Sequence, residues 1–396
     1  MRLRPRRLSA RATLAALFAV PLLTGVVAVA PSASAADDVR TENARVPSGS
    51  GADAVELDTT LYLPAAGGRA PAVVVAHGFG GSKDSVAAPA RELAERGYVV
   101  LTYSARGFGR STGQIGLDDP SFEVADLSTL IDLLAERDDV QLDGDGDPRV
   151  GVTGGSYGGA LTLLGAAYDD RIDAIAPQIT WNSLTSALFP SQAGLVDART
   201  VAATPEDSDT GVYKRLWSGL FFGAGSAPSG GLLGSLGADG AAPDLSSVDT
   251  SSLDPAVVEQ ALTCGRFSAD ICAAYQIAAA TGTLTPEIAA VLDRSSPAGV
   301  LDRIHAPTLL IQGTQDSLFG LGQADANARG IEANGTPVKV VWFAGGHDSQ
   351  ASDRVTADLR EQVGTWFDHY LRGQGDDPGT GFEFPAPTGL GSTGVG

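Results

Sequence analysis

Short apolar runs alternate with helix-length amphipathic segments between residues 54 and 180. Val55–Leu63 alternates between apolar and polar positions, which predicts a strand at the edge of a sheet. Continuous β-branched runs predict strands that are covered on both faces, at Ala72–Ala76, 98–103 and 150–153. Apolar residues three and four positions apart predict helices over 83–96 and 122–137. This order is typical of a mostly parallel sheet flanked by helices, an α/β fold.

The same rhythm returns near the carboxyl end, with strands predicted at 307–312 and Val338–Phe343 and helices at 322–332 and 353–371. Between them, residues 181–300 are rich in Gly, Ser and Ala and show no strand pattern. We therefore predict a core in two parts, 36–180 and 301–372, interrupted by a helical cap at 181–300. Residues 373–396 are predicted to be a flexible tail because they are rich in Gly and Pro.

Residues 1–35 have the pattern of a secretory signal peptide. Five arginines come first, a charge-free stretch runs from 12 to 30, and Ala33-Ser34-Ala35 offers small residues for cleavage. An uncleaved anchor is the alternative, since 19 uncharged residues nearly span a bilayer. We expect a secreted, extracellular chain without stable membrane insertion after cleavage. Arg6-Arg7 is compatible with twin-arginine export, so both this route and the Sec route stay open.

The chain is acidic, with 27 Lys and Arg against 47 Asp and Glu and a net charge of -20. Such a charge repels phosphate backbones and anionic lipid, so we expect no nucleic-acid partner and no peripheral membrane function. The composition, with 43% hydrophobic and 19% charged residues, is that of an ordinary globular protein. It indicates nothing about the substrate or the oligomeric state.

The strongest chemical signal is Gly154-Gly155-Ser156-Tyr157-Gly158. It follows a predicted strand and precedes a small-residue helix predicted at 160–167, the context of a nucleophile elbow. In such an elbow a sharp turn strains the serine backbone, and neighbouring side chains must be absent to avoid collision. This context matters because a chance G-x-S-x-G is common in a chain with 50 glycines.

An α/β-hydrolase requires an acid and a histidine after the serine, each on a loop that follows a later strand. Asp316 and His347 fill these positions. Ser156 is then the predicted nucleophile, His347 the general base, and Asp316 the acid that orients the imidazole. The chain offers competitors for both partners, the histidines 77, 305 and 369 and the acid Asp348, but their positions relative to the predicted elements suit these roles less well.

The loop His77-Gly78-Phe79-Gly80-Gly81 follows the Ala72–Ala76 strand, where such hydrolases direct backbone N–H groups at the oxyanion. We predict the N–H groups of Phe79 and Tyr157 as the donors. A plain glycine-rich turn is the alternative. Five aromatic residues of the predicted cap are candidates for an apolar acyl pocket or simply pack the cap on the core: Trp181, Phe189, Trp217, Phe221 and Phe222.

The two cysteines, Cys264 and Cys272, are predicted to form a disulfide, because the chain is expected to be exported. The alternative is a pair of thiols on successive helical turns that never meet. No metal site is predicted around them. Asp143, Asp145 and Asp147 alternate as calcium ligands can, but Pro148 and the lack of a closing Glu favour a solvated acidic turn.

Several motifs together resemble the Xaa-Pro dipeptidyl-peptidase-like and cocaine-esterase-like serine hydrolases: HGFGG, YSARGFGRSTG, GVTGGSYGG, PTLLIQGTQDSLF, AGGHDS and TWFDHYLRG. The resemblance implies the α/β-hydrolase fold, a triad of Ser156, Asp316 and His347, an oxyanion loop at Phe79 and a helical cap at 181–300. Two features depart from it. Family members commonly carry a jelly-roll domain after the WFDHYL-like helix, whereas a short Gly- and Pro-rich tail is expected here at 373–396. Some members use a tyrosine side chain as an oxyanion donor, where this chain has Phe79.

These observations predict a secreted serine hydrolase that needs no cofactor and cleaves a small ester or a short peptide through an acyl-enzyme. Proline-specific peptidase activity is only loosely implied, because no cap residue clearly marks a receptor for a free amino terminus. A carboxylesterase or lipase without peptidase activity is the alternative within enzymes. A non-catalytic binding protein on a hydrolase scaffold is the alternative of another class, since a fold does not fix a function.

Overall fold

The computed structural model describes residues 39–190, 213–226, 264–385 and 392–395. A sheet of ten strands among these residues runs in the order β1-β2-β4-β3-β7-β8-β9-β10-β11-β12. The strands are β1 Arg40–Ser48, β2 Val55–Leu63, β3 Ala72–Ala76, β4 Val99–Tyr103, β7 Val150–Gly155, β8 Ile172–Gln178, β9 Thr308–Gly313, β10 Val338–Phe343, β11 Phe382–Pro385 and β12 Ser392–Val395. A separate hairpin consists of β5 Leu142–Gly144 and β6 Asp147–Pro148.

In the order of the sheet, the neighbours β4-β3-β7-β8-β9-β10-β11 all pair in parallel. Antiparallel pairs lie at both edges, where β1 pairs with β2, β2 with β4, and β11 with β12. The described α-helices are α1 Ala87–Glu95, α2 Ala125–Ala135, α3 Tyr157–Tyr168, α4 Leu184–Leu188, α5 Arg215–Ser226, α6 Ala269–Thr281, α7 Pro286–Arg294, α8 Leu321–Glu332 and α9 Asp353–Arg372. None of these helices is long and apolar enough to cross a membrane. The predicted α/β-hydrolase architecture is confirmed.

Helices cover both faces of the sheet, which explains the continuous apolar runs of the central strands. Val73 and Val75 point to the face covered by α1 and α9, where Trp366 and Phe367 are fully buried. Val74, between them, points to the face covered by α2 and α3. Successive residues of a strand alternate between the two faces, so a single β-branched run contributes to both cores.

The edges of the sheet differ from the sequence-based expectation. Val55–Leu63 is not an edge strand, because Arg40–Ser48 pairs along its whole length. Six of the first seven side chains of Arg40–Ser48 are exposed, so the segment lacks the apolar pattern by which a strand is predicted. At the other edge, Phe382–Pro385 pairs with β10 and Ser392–Val395 pairs with Phe382–Pro385, where a flexible tail was expected.

The segment predicted as a cap contains helices α4 to α7 and no strand among its described residues. Helix α5 packs against α6, and α6 packs against α7. Cys264 and Cys272 form a disulfide at the start of α6, with their Cα atoms 5.3 Å apart. The predicted pairing is therefore confirmed, and the alternative of two separate thiols is wrong.

Candidate active site

Ser156 lies in the turn that joins β7 to α3, with φ +56° and ψ -115°. Its N–H donates to the carbonyl of Gln178 at 2.9 Å, which fixes the turn on the neighbouring strand. A Cβ on Gly154 or on Gly158 would lie 2.7 or 2.5 Å from the carbonyl oxygen of Ala76. The glycines are therefore required by the close approach of β3 to the turn, and the strained serine is held from both sides.

Asp316 and His347 follow β9 and β10, two parallel neighbours whose carboxyl ends lie at the same edge of the sheet as that of β7. The Ser156 Oγ atom lies 2.8 Å from His347 Nε2. The His347 Nδ1 atom lies 2.7 Å from Asp316 Oδ2. The three residues predicted from the sequence thus form one continuous hydrogen-bonded chain, although 191 positions separate the serine from the histidine.

The Asp316 carboxylate is completely buried and fully used as an acceptor. Its Oδ2 also accepts the backbone N–H of His347 at 3.2 Å. Its Oδ1 accepts the N–H groups of Leu318 and Phe319 at 3.0 and 2.7 Å. Because an ionised carboxylate only accepts hydrogen bonds, the His347 ring carries its proton on Nδ1. His347 Nε2 is then left free to accept the hydroxyl proton of Ser156.

None of the competing residues takes part in the described hydrogen-bonded chain of Ser156, His347 and Asp316. The Asp348 carboxylate accepts the hydroxyl of Ser317 at 2.7 Å and also its N–H. His77 accepts the N–H of Ala105 at Nε2 and donates from Nδ1 to the carbonyl of Gly78. Burial lowers the pKa of His77 to about 4, so it is neutral and fixes the loop that it begins. His305 is exposed, and His369 lies in α9 beside Tyr370.

The loop at Phe79 lies against the serine turn. A Cβ on Gly78 would lie 3.6 Å from the carbonyl oxygen of Gly155 and 3.8 Å from the Ser156 Cβ. Neither the Phe79 N–H nor the Tyr157 N–H has a backbone acceptor among the described residues. Tyr157 is the first residue of α3, where N–H groups lack partners within the helix and the helix dipole favours negative charge.

An apolar cavity opens beside Ser156, between the core and helices α4 to α7. Four of the five predicted aromatic residues line it, namely Trp181, Phe189, Phe221 and Phe222. Trp217 does not line the cavity. Its ring meets the His347 ring edge-on with the centroids 5.9 Å apart, and its indole N–H donates to the Ser317 hydroxyl at 3.3 Å. No charged residue lines the cavity within the described part of the chain.

A buried acidic group behind the cavity was not predicted. Glu123 accepts the N–H groups of Gly116 and Asp119 and the hydroxyl of Tyr157. Burial raises the pKa of Glu123 to about 7. The loop that Glu123 holds brings Leu117, at φ +60°, to the cavity wall. The pattern of residues 122–137 predicts one amphipathic helix and gives no sign of a buried carboxylate.

Two other predictions concern the amino terminus and an acidic turn. The predicted signal peptide, residues 1–35, lies outside the described residues. The Asp143 to Asp147 segment forms the β5–β6 hairpin, in which Asp143 makes an ion pair with Arg149. No group of three or more potential metal-ligating side chains is present across the described ranges.

Comparison with known proteins agrees with this fold. The sequence model of the X-Pro dipeptidyl-peptidase (S15) family matches residues 53–349. A quorum-quenching protein of Acinetobacter baumannii is 33% identical over 127 residues, 31% of this chain and 40% of that protein. The chain spans about two fifths of the length of such curated relatives.

Solved structures with the same fold cover most of the chain. An esterase of Pyrococcus furiosus has a TM-score of 0.50 at 15% identity, covering 84% of this chain and 93% of that one. A hypothetical protein of Pseudomonas aeruginosa has a TM-score of 0.51 at 18% identity, with 84% and 94% covered. The family match extends over more than half of the sequence, and its boundaries enclose the serine turn and both loops. The chain belongs to the X-Pro dipeptidyl-peptidase (S15) family of α/β-hydrolases.

Proposed function

We propose that this chain is an exported serine hydrolase that cleaves esters of neutral, apolar acyl groups, with Ser156, His347 and Asp316 as its catalytic triad. The observation that carries the proposal is the unbroken relay from the Ser156 hydroxyl to the Asp316 carboxylate, at 2.8 and 2.7 Å, beside an apolar cavity. Family membership supports a hydrolase, and the apolar lining of the cavity supports a neutral, apolar acyl group as the part of the substrate that binds there.

In the proposed reaction His347 Nε2 takes the proton of Ser156 as the oxygen attacks the ester carbonyl. The carbonyl oxygen becomes an oxyanion, which the N–H groups of Phe79 and Tyr157 stabilise. The tetrahedral intermediate breaks its bond to the leaving alcohol, which receives the proton from His347. A water molecule then repeats the sequence on the acyl-enzyme, releases the carboxylic acid and restores Ser156. Asp316 stabilises the imidazolium in both halves.

The cavity supports an esterase rather than a dipeptidyl-peptidase. A substrate with a free amino terminus carries an ammonium ion, which is costly to bury without a carboxylate or several oxygen acceptors. The described lining consists of aromatic and aliphatic side chains with a few hydroxyls, and none of its residues is acidic. Binding of an apolar acyl chain in such a site is favoured in proportion to the apolar surface area that is removed from water.

Two experiments test the proposal. A fluorophosphonate probe is expected to label the wild-type protein and not Ser156→Ala; a folded wild type that is never labelled would support the non-catalytic binding alternative. Hydrolysis of p-nitrophenyl butyrate is then compared with that of Ala-Pro-p-nitroanilide and its N-acetylated form. Faster turnover of the ester is expected. Preference for the free Ala-Pro substrate over its acetylated form would contradict the neutral acyl site.

Export rests on the pattern of residues 1–35, and the disulfide supports it, because disulfides persist in oxidising compartments. We expect the mature chain in the medium of an expressing culture to begin near Ala36, which amino-terminal sequencing measures. Replacing Arg6 and Arg7 by lysine separates the two export routes, since only twin-arginine export is expected to stop.

A further inference from the structure

Lys214 comes directly before α5, in the segment 181–300 that was predicted as a cap and is called the inserted segment below. Its side chain reaches the turn that follows Asp316, residues 317–319. Its Nζ donates to the carbonyl oxygens of Ser317 at 2.5 Å and of Leu318 at 2.8 Å. Its own N–H donates to the carbonyl of Leu188 at 3.0 Å, which fixes the lysine backbone at the end of α4. The backbone of Lys214 is therefore fixed within the inserted segment, and its ammonium group binds the turn after Asp316.

Two consecutive peptide groups lie between this ammonium and the Asp316 carboxylate. The group that joins Ser317 to Leu318 has its oxygen on Lys214 and its N–H on Asp316 Oδ1. The next group, from Leu318 to Phe319, is bound in the same way. A peptide dipole points its positive end along N–H, so both dipoles are aligned between a cation and an anion, which is the favourable orientation.

The surroundings of Lys214 strengthen this interaction. Burial lowers the pKa of Lys214, while the carboxylates of Asp316 and Asp348 act to raise it. Charge interactions are stronger in such a half-buried place than in water. Trp217, one turn further along the chain, adds a second contact between α5 and the same turn through the Ser317 hydroxyl.

We propose that Lys214 is a positioning residue for the reaction: through two polarised peptide groups it holds the Asp316 carboxylate, so the inserted segment helps to set the orientation of the catalytic base. This inference rests on the proposed function, because Asp316 acts on His347 only if the triad is catalytic. Among the described residues, the Lys214 ammonium donates to the two carbonyl oxygens of the turn and not to Ser156 or His347.

The test replaces Lys214 by Met, which removes the charge and keeps the length, and by Arg, which keeps the charge. With p-nitrophenyl butyrate, Lys214→Met is expected to lower kcat about tenfold to hundredfold, by analogy with the loss when the partners that orient metal-ligating side chains are replaced, with little change in KM. The acid limb of the kcat/KM profile is expected to move to higher pH, because a positive charge that opposes protonation of the base has been removed. Lys214→Arg is expected to keep the wild-type limb.

Arg215→Gln is the matched control, since Arg215 is the neighbouring cation but donates to the carbonyl of Ala279 within the inserted segment. Its kcat and pH profile are expected to stay at wild-type values. A folded Lys214→Met with wild-type kcat, or with a lower kcat and an unmoved pH profile, overturns the inference. If that variant does not fold, Lys214→Gln is read by the same two criteria. Labelling of wild type by the fluorophosphonate shows that such a failure concerns Lys214 and not the proposed function.

Discussion

Replacing Asp316 by Asn tests the assignment of the acid, and Asp348→Asn is its matched control. Asp316 Oδ2 accepts two N–H groups of His347, and Oδ1 accepts those of Leu318 and Phe319. An asparagine has one oxygen for these four donors. With its oxygen toward the turn, its NH2 faces His347 and forces the proton of the ring onto Nε2, so the ring no longer accepts the proton of Ser156.

The expected loss is about 10⁴ in kcat, as for the same change in other serine triads. This corresponds to about 5.5 kcal/mol of activation free energy at 1.36 kcal/mol per factor of ten. Asp348 accepts only from Ser317 among the described residues, so Asp348→Asn is expected to keep kcat within about threefold. Initial rates with p-nitrophenyl butyrate measure both, and thermal unfolding confirms that the variants fold. Equal losses in the two variants, or a mild loss in Asp316→Asn, would refute the assignment.

Three further predictions concern stability. The pKa of Glu123 is raised from 4.5 to about 7, so the folded state loses up to about 3 kcal/mol as the pH rises through this interval. The free energy of unfolding of Glu123→Gln, measured in urea relative to that of the wild type, should therefore be higher at pH 8 than at pH 5. The same relative value at both pH values contradicts the burial argument. Gly158→Ala should cost about 1 to 3 kcal/mol in the same assay, because its Cβ would lie 2.5 Å from a backbone oxygen of β3. Gly155→Ala is the control, since its Cβ would meet nothing closer than 3.8 Å, and equal effects count against the steric reason. Reducing the Cys264–Cys272 bridge, which spans eight positions, should cost the inserted segment about 2.5 kcal/mol; calorimetry that shows no change with reductant contradicts this.

The central strands and the residues of the relay could be predicted because their signals are local. Ala72–Ala76 and Val338–Phe343 have the bounds that the apolar runs indicate. Ser156 is marked by Gly154, Gly155 and Gly158, which lie within two positions of it, and the tight turn requires Gly154 and Gly158. Asp316 and His347 are marked by the turns after two strands, and the carboxyl ends of parallel strands lie at one edge.

Other elements depend on contacts that the local sequence does not encode. Arg40–Ser48 is a strand because it pairs with Val55–Leu63, although most of its side chains are exposed. Ile172–Gln178 was missed because Asp173 and Pro177 interrupt its apolar pattern, yet it lies in the middle of the sheet between β7 and β9. Lys214 meets its acceptors across 103 positions, so no spacing in the sequence could have pointed to it.

This difference separates the chemistry of the site from its selectivity. The residues proposed as nucleophile, base, acid and oxyanion donors all lie on core turns at the carboxyl ends of parallel strands, where open α/β sheets commonly place their sites. Most of the cavity wall comes instead from helices α4 to α7, with Phe79, Leu117 and Phe319 as the main apolar side chains from the core. Membership of a peptidase family therefore supports the reaction class of this chain, whereas its substrate must be argued from the inserted segment, whose wall among the described residues is apolar and uncharged.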